Sequence, residues 1–266
     1  MKTIFVIDPK KRKLQQKLKT ILADFKCYGE ILVNADRNEI KIVKVGEEEM
    51  VIKSFKVPNL LNQITYSFFR ASKAKRSFLY ANRLLSIGIN TPFPIAYQIQ
   101  KKYLLFKSSF YVSKYLKTDM TFRELTIDFE IPDHEEILRA FTRFTYQLHE
   151  KGINFLDHSP GNTLIERKNN GGYNFYLVDL NRMKFGKMNF EERMKNFSKL
   201  TIYKFMIKIM SNEYAKCSGE DENVIFEKMW SLTKNFQHKY YRKIRIKKVL
   251  FFWRKKYKSM ASQSPI

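Results

Sequence analysis

The stretch from Asp157 to Asp179 limits the fold of this chain more than any other. A loop, Asp157-His158-Ser159-Pro160-Gly161-Asn162, follows a short strand-like run, Ile153–Leu156. Two strand candidates come next, Thr163–Arg167 and Tyr173–Val178, around the turn Asn169-Asn170-Gly171-Gly172. Asp179 follows the second strand at once. A hairpin brings its last residue back beside its first. Asp157, Asn162 and Asp179 therefore converge on one point.

The rest of the chain supplies a frame for that point. Residues 30–57 read as a β-meander. Glu30–Val33 is a short strand, Ala35-Asp36-Arg37-Asn38 a turn-rich break, and Glu39–Val45 an alternating strand. Gly46-Glu47 turns into Glu49–Phe55, which Pro58 closes. A helix is expected over 65–87, with Ala74, Phe78, Ala81 and Leu85 on one buried stripe. Gly88, Pro92 and Pro94 end it. Strands at Ile95–Ile99 and Tyr103–Leu116 follow, with their turn at Lys101-Lys102. A second helix, Asp133–Glu150, places Ile137, Phe141, Phe144 and Leu148 on one face and stops at Gly152. Everything after Phe190 reads as helical. The expected class is α+β and bilobal. A β-rich N-lobe spans 1–117, a helical C-lobe spans 118–237, and a basic aromatic tail spans 238–266.

Composition narrows the function classes. The chain has 266 residues, and 44% of them are hydrophobic, enough for a real core and too many for a disordered chain. The formal net charge of +24 is not spread evenly. Residues 50–118 hold 12 basic and no acidic groups, and residues 238–266 hold 10 basic and none acidic. Residues 119–237 are nearly balanced, with 17 basic and 18 acidic. An anionic partner is implied, but not a uniform nucleic-acid coat. The two cysteines, Cys27 and Cys217, read as ordinary buried thiols of a reducing compartment. The longest apolar runs are far short of the ~20 residues a membrane span needs. No signal peptide is apparent, so a cytoplasmic chain is expected. Four histidines without ligand spacing give no zinc signal.

The convergent residues fit phosphoryl transfer. That reaction needs a carboxylate to take the proton of an attacking hydroxyl. It needs a second carboxylate and an amide oxygen for Mg²⁺, and a lysine for the nucleotide phosphates. Lys53, in Val51-Ile52-Lys53 on the third meander strand, is the candidate lysine. Turn chemistry alone also explains an Asp–Asn pair in a loop, and a lone strand lysine is weak evidence. The combination is more specific than its parts.

These motifs resemble the protein-kinase-like superfamily. Pro160-Gly161-Asn162 is most similar to small-molecule kinases such as aminoglycoside phosphotransferases. Gly88-Ile89-Asn90-Thr91-Pro92-Phe93-Pro94, Leu148-His149-Glu150-Lys151-Gly152-Ile153 and Val178-Asp179-Leu180-Asn181-Arg182 resemble the lipopolysaccharide kinase family. The likeness covers about residues 30–210. It implies an ATP- and Mg²⁺-dependent kinase of a Kdo or heptose hydroxyl in the lipopolysaccharide inner core. It implies Asp157 as base, Asn162 and Asp179 as Mg²⁺ ligands and Lys53 on the ATP phosphates. Ser113, Lys114, Tyr115 and Leu116 would be the adenine-reading hinge, and His158 and Arg182 would face the substrate. The partners expected are a lipopolysaccharide core or lipid A precursor and an anionic membrane surface, with the protein peripheral on the cytoplasmic face of the inner membrane. Nucleic acid is not expected.

The chain departs from the superfamily pattern in four places. Phe155 stands where many kinases place a histidine before the base. The turn at Ala35–Asn38 has no glycine. Asn181 replaces the glycine after the metal-binding aspartate. Residues 50–118 offer no glutamate to pair Lys53. Three other readings remain at this level. They are a kinase of a protein or another small molecule, a non-catalytic scaffold of the same fold, and a basic nucleic-acid-binding protein.

Overall fold

The computed structural model describes residues 2–35, 38–56, 71–102 and 105–261. The chain divides into two compact units. One comprises Met1–Ile127 with Phe155–Gly186, and the other Asp128–Asn154 with Lys187–Ile266. The loop Asp157–Asn162 and Asp179 belong to the first unit, with the N-terminal sheet.

The first unit is built on a six-stranded antiparallel sheet. Its strands are β1 (Lys2–Ile7), β2 (Glu30–Ala35), β3 (Asn38–Val45), β4 (Glu48–Phe55), β5 (Pro94–Lys102) and β6 (Leu105–Lys114). Their spatial order is β1-β5-β6-β4-β3-β2. Alternation along β4 sends Met50 and Ile52 to one face and Lys53 and Phe55 to the other. The first face packs under α1 (Gln15–Ala23), whose Leu18, Ile21 and Leu22 join Phe25, Val43, Ile95, Phe110 and Val112. The opposite face takes Ala74 and Phe78 of α2 (Lys73–Ser86) against Phe55, Tyr97 and Ile99. Both faces of the sheet are thus covered.

Several expectations need correction here. The meander strands stand where they were expected, but α2 starts at Lys73. Ser72 caps it by accepting the Lys75 backbone N–H at 3.2 Å, and a capped start cannot be extended backwards as helix. The part of that expectation at 65–70 lies outside the described residues. Leu84 is fully buried, whereas Leu85 is half-buried. Lys101 and Lys102 lie in β5, paired with Phe106 and Leu105, so they do not form the turn. Cys27 is exposed and Cys217 half-buried, so neither is a buried thiol. β1 and α1 together cover one sheet edge and one face, and the basic run Lys10–Lys13 obscured the apolar spacing of Leu14, Leu18, Ile21 and Leu22.

The first unit also holds a small antiparallel sheet. β7 (Met120–Thr121) pairs β9 (Thr163–Arg167), which pairs β10 (Tyr173–Leu177). Between β8 (Ile153–Phe155) and β9 lies the loop, and β11 (Met183–Phe185) follows Asp179.

The second unit is helical: α3 (His134–Glu150), α4 (Phe190–Phe197), α5 (Lys204–Ser218) and α6 (Glu222–Ala261). Asn189 and Glu192 form a reciprocal cap that starts α4. α3 and α5 are joined by a charged cluster. Glu213 accepts from Arg143 at 2.6 Å and from Arg139 at 3.1 Å. His149 meets the Tyr214 hydroxyl at 3.0 Å. α6 buries Ile225, Met229 and Thr233 and then continues through the basic stretch without a break, mostly exposed as far as Val249. No helix among the described residues is long and apolar enough to cross a membrane.

The Glu213 cluster carries a pH dependence. Burial by itself would raise the Glu213 carboxyl, but hydrogen bonds from Arg143 and Arg139 outweigh it and hold the group below its ordinary value. Its stabilisation is present above the unfolded carboxylate value of ~4.3 and is lost as pH falls through the depressed folded value. Glu213→Gln should therefore lower stability by about 2 kcal/mol at neutral pH, between the buried and exposed limits for ion pairs. Thermal melts in increasingly acid buffer should show the variant losing less than the wild type. Parallel losses would refute this account.

Candidate active site

The loop is tied at both ends by its own backbone. Leu156 N–H donates to the Arg182 carbonyl (3.1 Å), and His158 N–H to that of Phe155 (3.1 Å). Asn162 N–H donates to the Ser159 carbonyl (2.9 Å), while its side-chain Nδ2 reaches back to the Asp157 carbonyl (2.8 Å). This asparagine therefore closes the loop that begins with Asp157. The Asn162 carbonyl in turn accepts from Val178 N–H at 3.0 Å. That bond places Asp179 one residue from the loop, as the hairpin requires.

The motif Gly88–Pro94 has a physical role in the same arrangement. Leu177 N–H donates to the Asn90 carbonyl (3.0 Å), and the buried Thr91 hydroxyl donates to the Leu177 carbonyl (2.7 Å). The end of β10 is thereby fixed to the segment that leads into β5. Asp179, two residues on, takes a left-handed conformation (φ 57°), which is uncommon without a glycine and tolerated best by Asp and Asn. The turn aims its carboxylate at Lys53. Lys53 Nζ lies 2.5 Å from Asp179 Oδ1, with side-chain exposures of 11% and 29%. Asn181 Nδ2 donates to the same oxygen at 2.6 Å. Lys53 also lies 5.4 Å from the Phe55 ring centroid.

Lys53, with no acid between residues 50 and 118, takes its carboxylate from the far end of the hairpin. α2 meets the segment after Asp179 through an aromatic contact. The Arg83 guanidinium sits 3.9 Å over the Phe185 ring, and Tyr80 packs edge-on at 5.3 Å.

The other expected site residues divide. Arg182 Nη1 bonds Asp157 Oδ1 at 2.9 Å and is exposed. His158 is 1% exposed and packs on the Phe155 ring, so its side chain is interior and does not face an incoming molecule. Ser113 and Lys114 end β6. The Lys114 N–H is spent on the Phe93 carbonyl and the Tyr115 N–H on that of Glu49, both at 2.9 Å. No group of three or more His, Cys, Asp or Glu side chains suited to a metal occurs among the described residues. One carboxylate and one carboxamide, Asp179 and Asn162, form an all-oxygen donor pair of the kind Mg²⁺ accepts when phosphates and waters complete its shell.

One residue stands at the loop without any motif to announce it. The Arg123 guanidinium lies against Gly161, with Nη2 2.8 Å from where a Cβ on that glycine would be.

Sequence comparison agrees with this geometry. The model of the lipopolysaccharide kinase (Kdo/WaaP) family matches residues 59–220. The chain belongs to that family. Its members are kinases, and this chain is accordingly a phosphotransferase. No curated protein matches by sequence. Among solved structures, "WaaP in complex with acyl carrier protein" matches with a TM-score of 0.60 at 15% identity, over 90% of this chain and 98% of that one. The likeness shows a protein-kinase-like fold. Solved chains of similar fold number 1022, so the fold alone does not fix a substrate. In this family member the Lys53–Asp179 pair stands without a helix glutamate.

Thr91→Val tests the strap that holds Asp179. It leaves the buried Leu177 carbonyl short of a donor, a loss of about 1.5 kcal/mol. Chemical denaturation should show that loss. An unchanged midpoint would mean that the hydroxyl does not hold β10.

Proposed function

We propose that this kinase transfers a phosphoryl group from ATP to a sugar hydroxyl, of Kdo or heptose, in the lipopolysaccharide inner core. The observation that carries the proposal is the Lys53–Asp179 ion pair beside the closed loop Asp157–Asn162, in a chain of this family. Asp157 accepts the proton of the attacking hydroxyl, and Arg182 orients its carboxylate through Oδ1. Lys53 leaves Asp179 for the nucleotide phosphates, an exchange of one anionic partner for another in a largely buried place. Asn162 and Asp179 would hold Mg²⁺, which when bound would supply charge neutralisation on the triphosphate. Ser113–Leu116 reads the adenine. Because the Lys114 and Tyr115 N–H groups are already engaged, that reading falls to the Tyr115 carbonyl and the Leu116 N–H.

Incubation with labelled ATP and Kdo–lipid A or heptosylated core should place label in the lipid fraction. Asp157→Ala should cut the rate by about 10³-fold, the weight of a general base. No transfer by the wild type, or transfer that survives Asp157→Ala, would refute the assignment. Label in protein bands would point to a protein kinase.

The tail fits a place at the cytoplasmic face of the inner membrane. Residues 238–266 carry 10 basic and no acidic groups, and exposed Tyr240, Tyr241, Ile246 and Val249 stand among them. Each cation near an anionic leaflet contributes ~1 kcal/mol, and added salt screens the attraction. Vesicles rich in anionic lipid should retain the protein at low salt and release it at high salt. A chain ending at Gln237 keeps the buried face of α6 and should fold but not bind. Equal binding by both chains would remove the tail from this role.

A further inference from the structure

The loop of Asp157 and Asn162 brings no exposed cation of its own. Between them stand the buried His158 and the uncharged Ser159, Pro160 and Gly161. Any anionic group that arrives at this loop must be met by a charge from another element. Arg182 is exposed, but it is bonded to Asp157. Arg123 is the remaining arginine at the loop among the described residues.

Arg123 is placed by a rigid base. Phe122 and Leu125 on either side of the Arg123–Glu124 pair are fully buried, and Phe122 N–H donates to the Thr163 carbonyl at 3.0 Å, one residue beyond Asn162. Arg123 N–H donates to the Thr121 hydroxyl oxygen at 3.1 Å. The neighbouring acid is committed elsewhere. Glu124 Oε2 accepts from the Thr121 N–H at 2.7 Å and from its hydroxyl at 2.6 Å. Among the described residues no carboxylate oxygen stands within ion-pair distance of the Arg123 guanidinium, although the Arg123 charge is felt at the Glu124 carboxyl. The side chain is exposed, and its head lies on Gly161.

Gly161 itself points to the guanidinium. Its φ is not in the left-handed region, so its backbone does not require glycine. A Cβ there would stand 2.8 Å from Arg123 Nη2 and 3.6 Å from Cζ. A side chain at 161 would push the flexible end of Arg123 off the loop.

We propose that Arg123, laid on Gly161, forms an anion subsite that binds a carboxylate or phosphate of the acceptor sugar beside its reacting hydroxyl. Arg123 follows β7, which pairs β9, whereas Lys53 stands on β4 of the six-stranded sheet. The two cations come from different sheets, Lys53 to Asp179 and Arg123 to the loop, one for the nucleotide and one for the acceptor. A guanidinium presents a planar fork that matches either oxyanion, and an ammonium does not. This assignment rests on the proposed sugar-kinase reading.

The test compares wild type, Arg123→Ala, Arg123→Lys and Gly161→Ala. Calorimetry with intact, carboxyl-reduced and dephosphorylated core oligosaccharide measures the acceptor, and ATP titration is the control. Arg123→Ala should weaken intact core about 10- to 100-fold with ATP affinity unchanged, the weight of a hydrogen-bonded charge. Arg123→Lys should recover only part of it, and Gly161→Ala should weaken core binding less than Arg123→Ala does. The modified core whose binding no longer separates wild type from Arg123→Ala names the anion, carboxylate or phosphate. Unchanged core binding in Arg123→Ala, or a loss of ATP affinity instead, would overturn the subsite even if wild-type transfer to core is confirmed. If the wild type transfers nothing to core, the sugar-kinase reading fails separately. Titration with inorganic phosphate then decides the subsite: the Arg123 side-chain N–H resonance should shift, and a resonance that does not move would overturn it.

Discussion

Lys53 and Asp179 hold the first unit to its chemistry. An ammonium that is almost fully buried cannot remain without a counter-charge, because removing it from water costs several kcal/mol. Residues 50–118 contain no acid, so neither α2 nor β6 can supply one, and Glu39 on β3 pairs with Lys41. The carboxylate must arrive from a segment more than a hundred residues later. Everything that places it follows from that need. The hairpin returns the chain, Thr91 and Asn90 strap its end, and the left-handed turn at Asp179 aims the carboxylate. Asn181, where the superfamily has glycine, donates to the same carboxylate oxygen.

The missing glutamate also changes what anchors α2. Its attachment to the chain after Asp179 is aromatic and cationic, through Arg83 and Tyr80 on Phe185. A cation over a ring loses less on desolvation than an ammonium and can slide without breaking a directional bond. That contact involves neither Lys53 nor Asp179. The second unit uses the opposite device. Its α3–α5 contact carries a cluster of two arginines on one glutamate, directional and sensitive to acid.

Much of the fold was legible in residues. The strands from 30 to 55 follow from alternation and turn residues, the hairpin at 163–177 from its Asn-Asn-Gly-Gly turn, and α3 from its apolar stripe. Legibility failed where a local signal was masked or ambiguous. The lysines before Leu14 hid a helix whose apolar face packs on the sheet. Lys101 and Lys102 looked like a turn, but an antiparallel partner kept them in strand. His158 looked accessible because it stands in a polar loop, yet Phe155 draws its ring into the interior. Arg123 belongs to no motif, and nothing in its local sequence separates it from other surface arginines.

The sequence by itself determined the spacing Asp157–Asn162–Asp179, the lysine on a β-strand, and the absence of any acid from residue 50 to residue 118. Those are properties of order along the chain, and a hairpin converts order into proximity. The tertiary structure decided which partner Lys53 takes, which loop residue is buried, and which arginine stands over Gly161. Such choices depend on contacts between residues distant in sequence and on the space that packing leaves, and neither is written in local periodicity or charge.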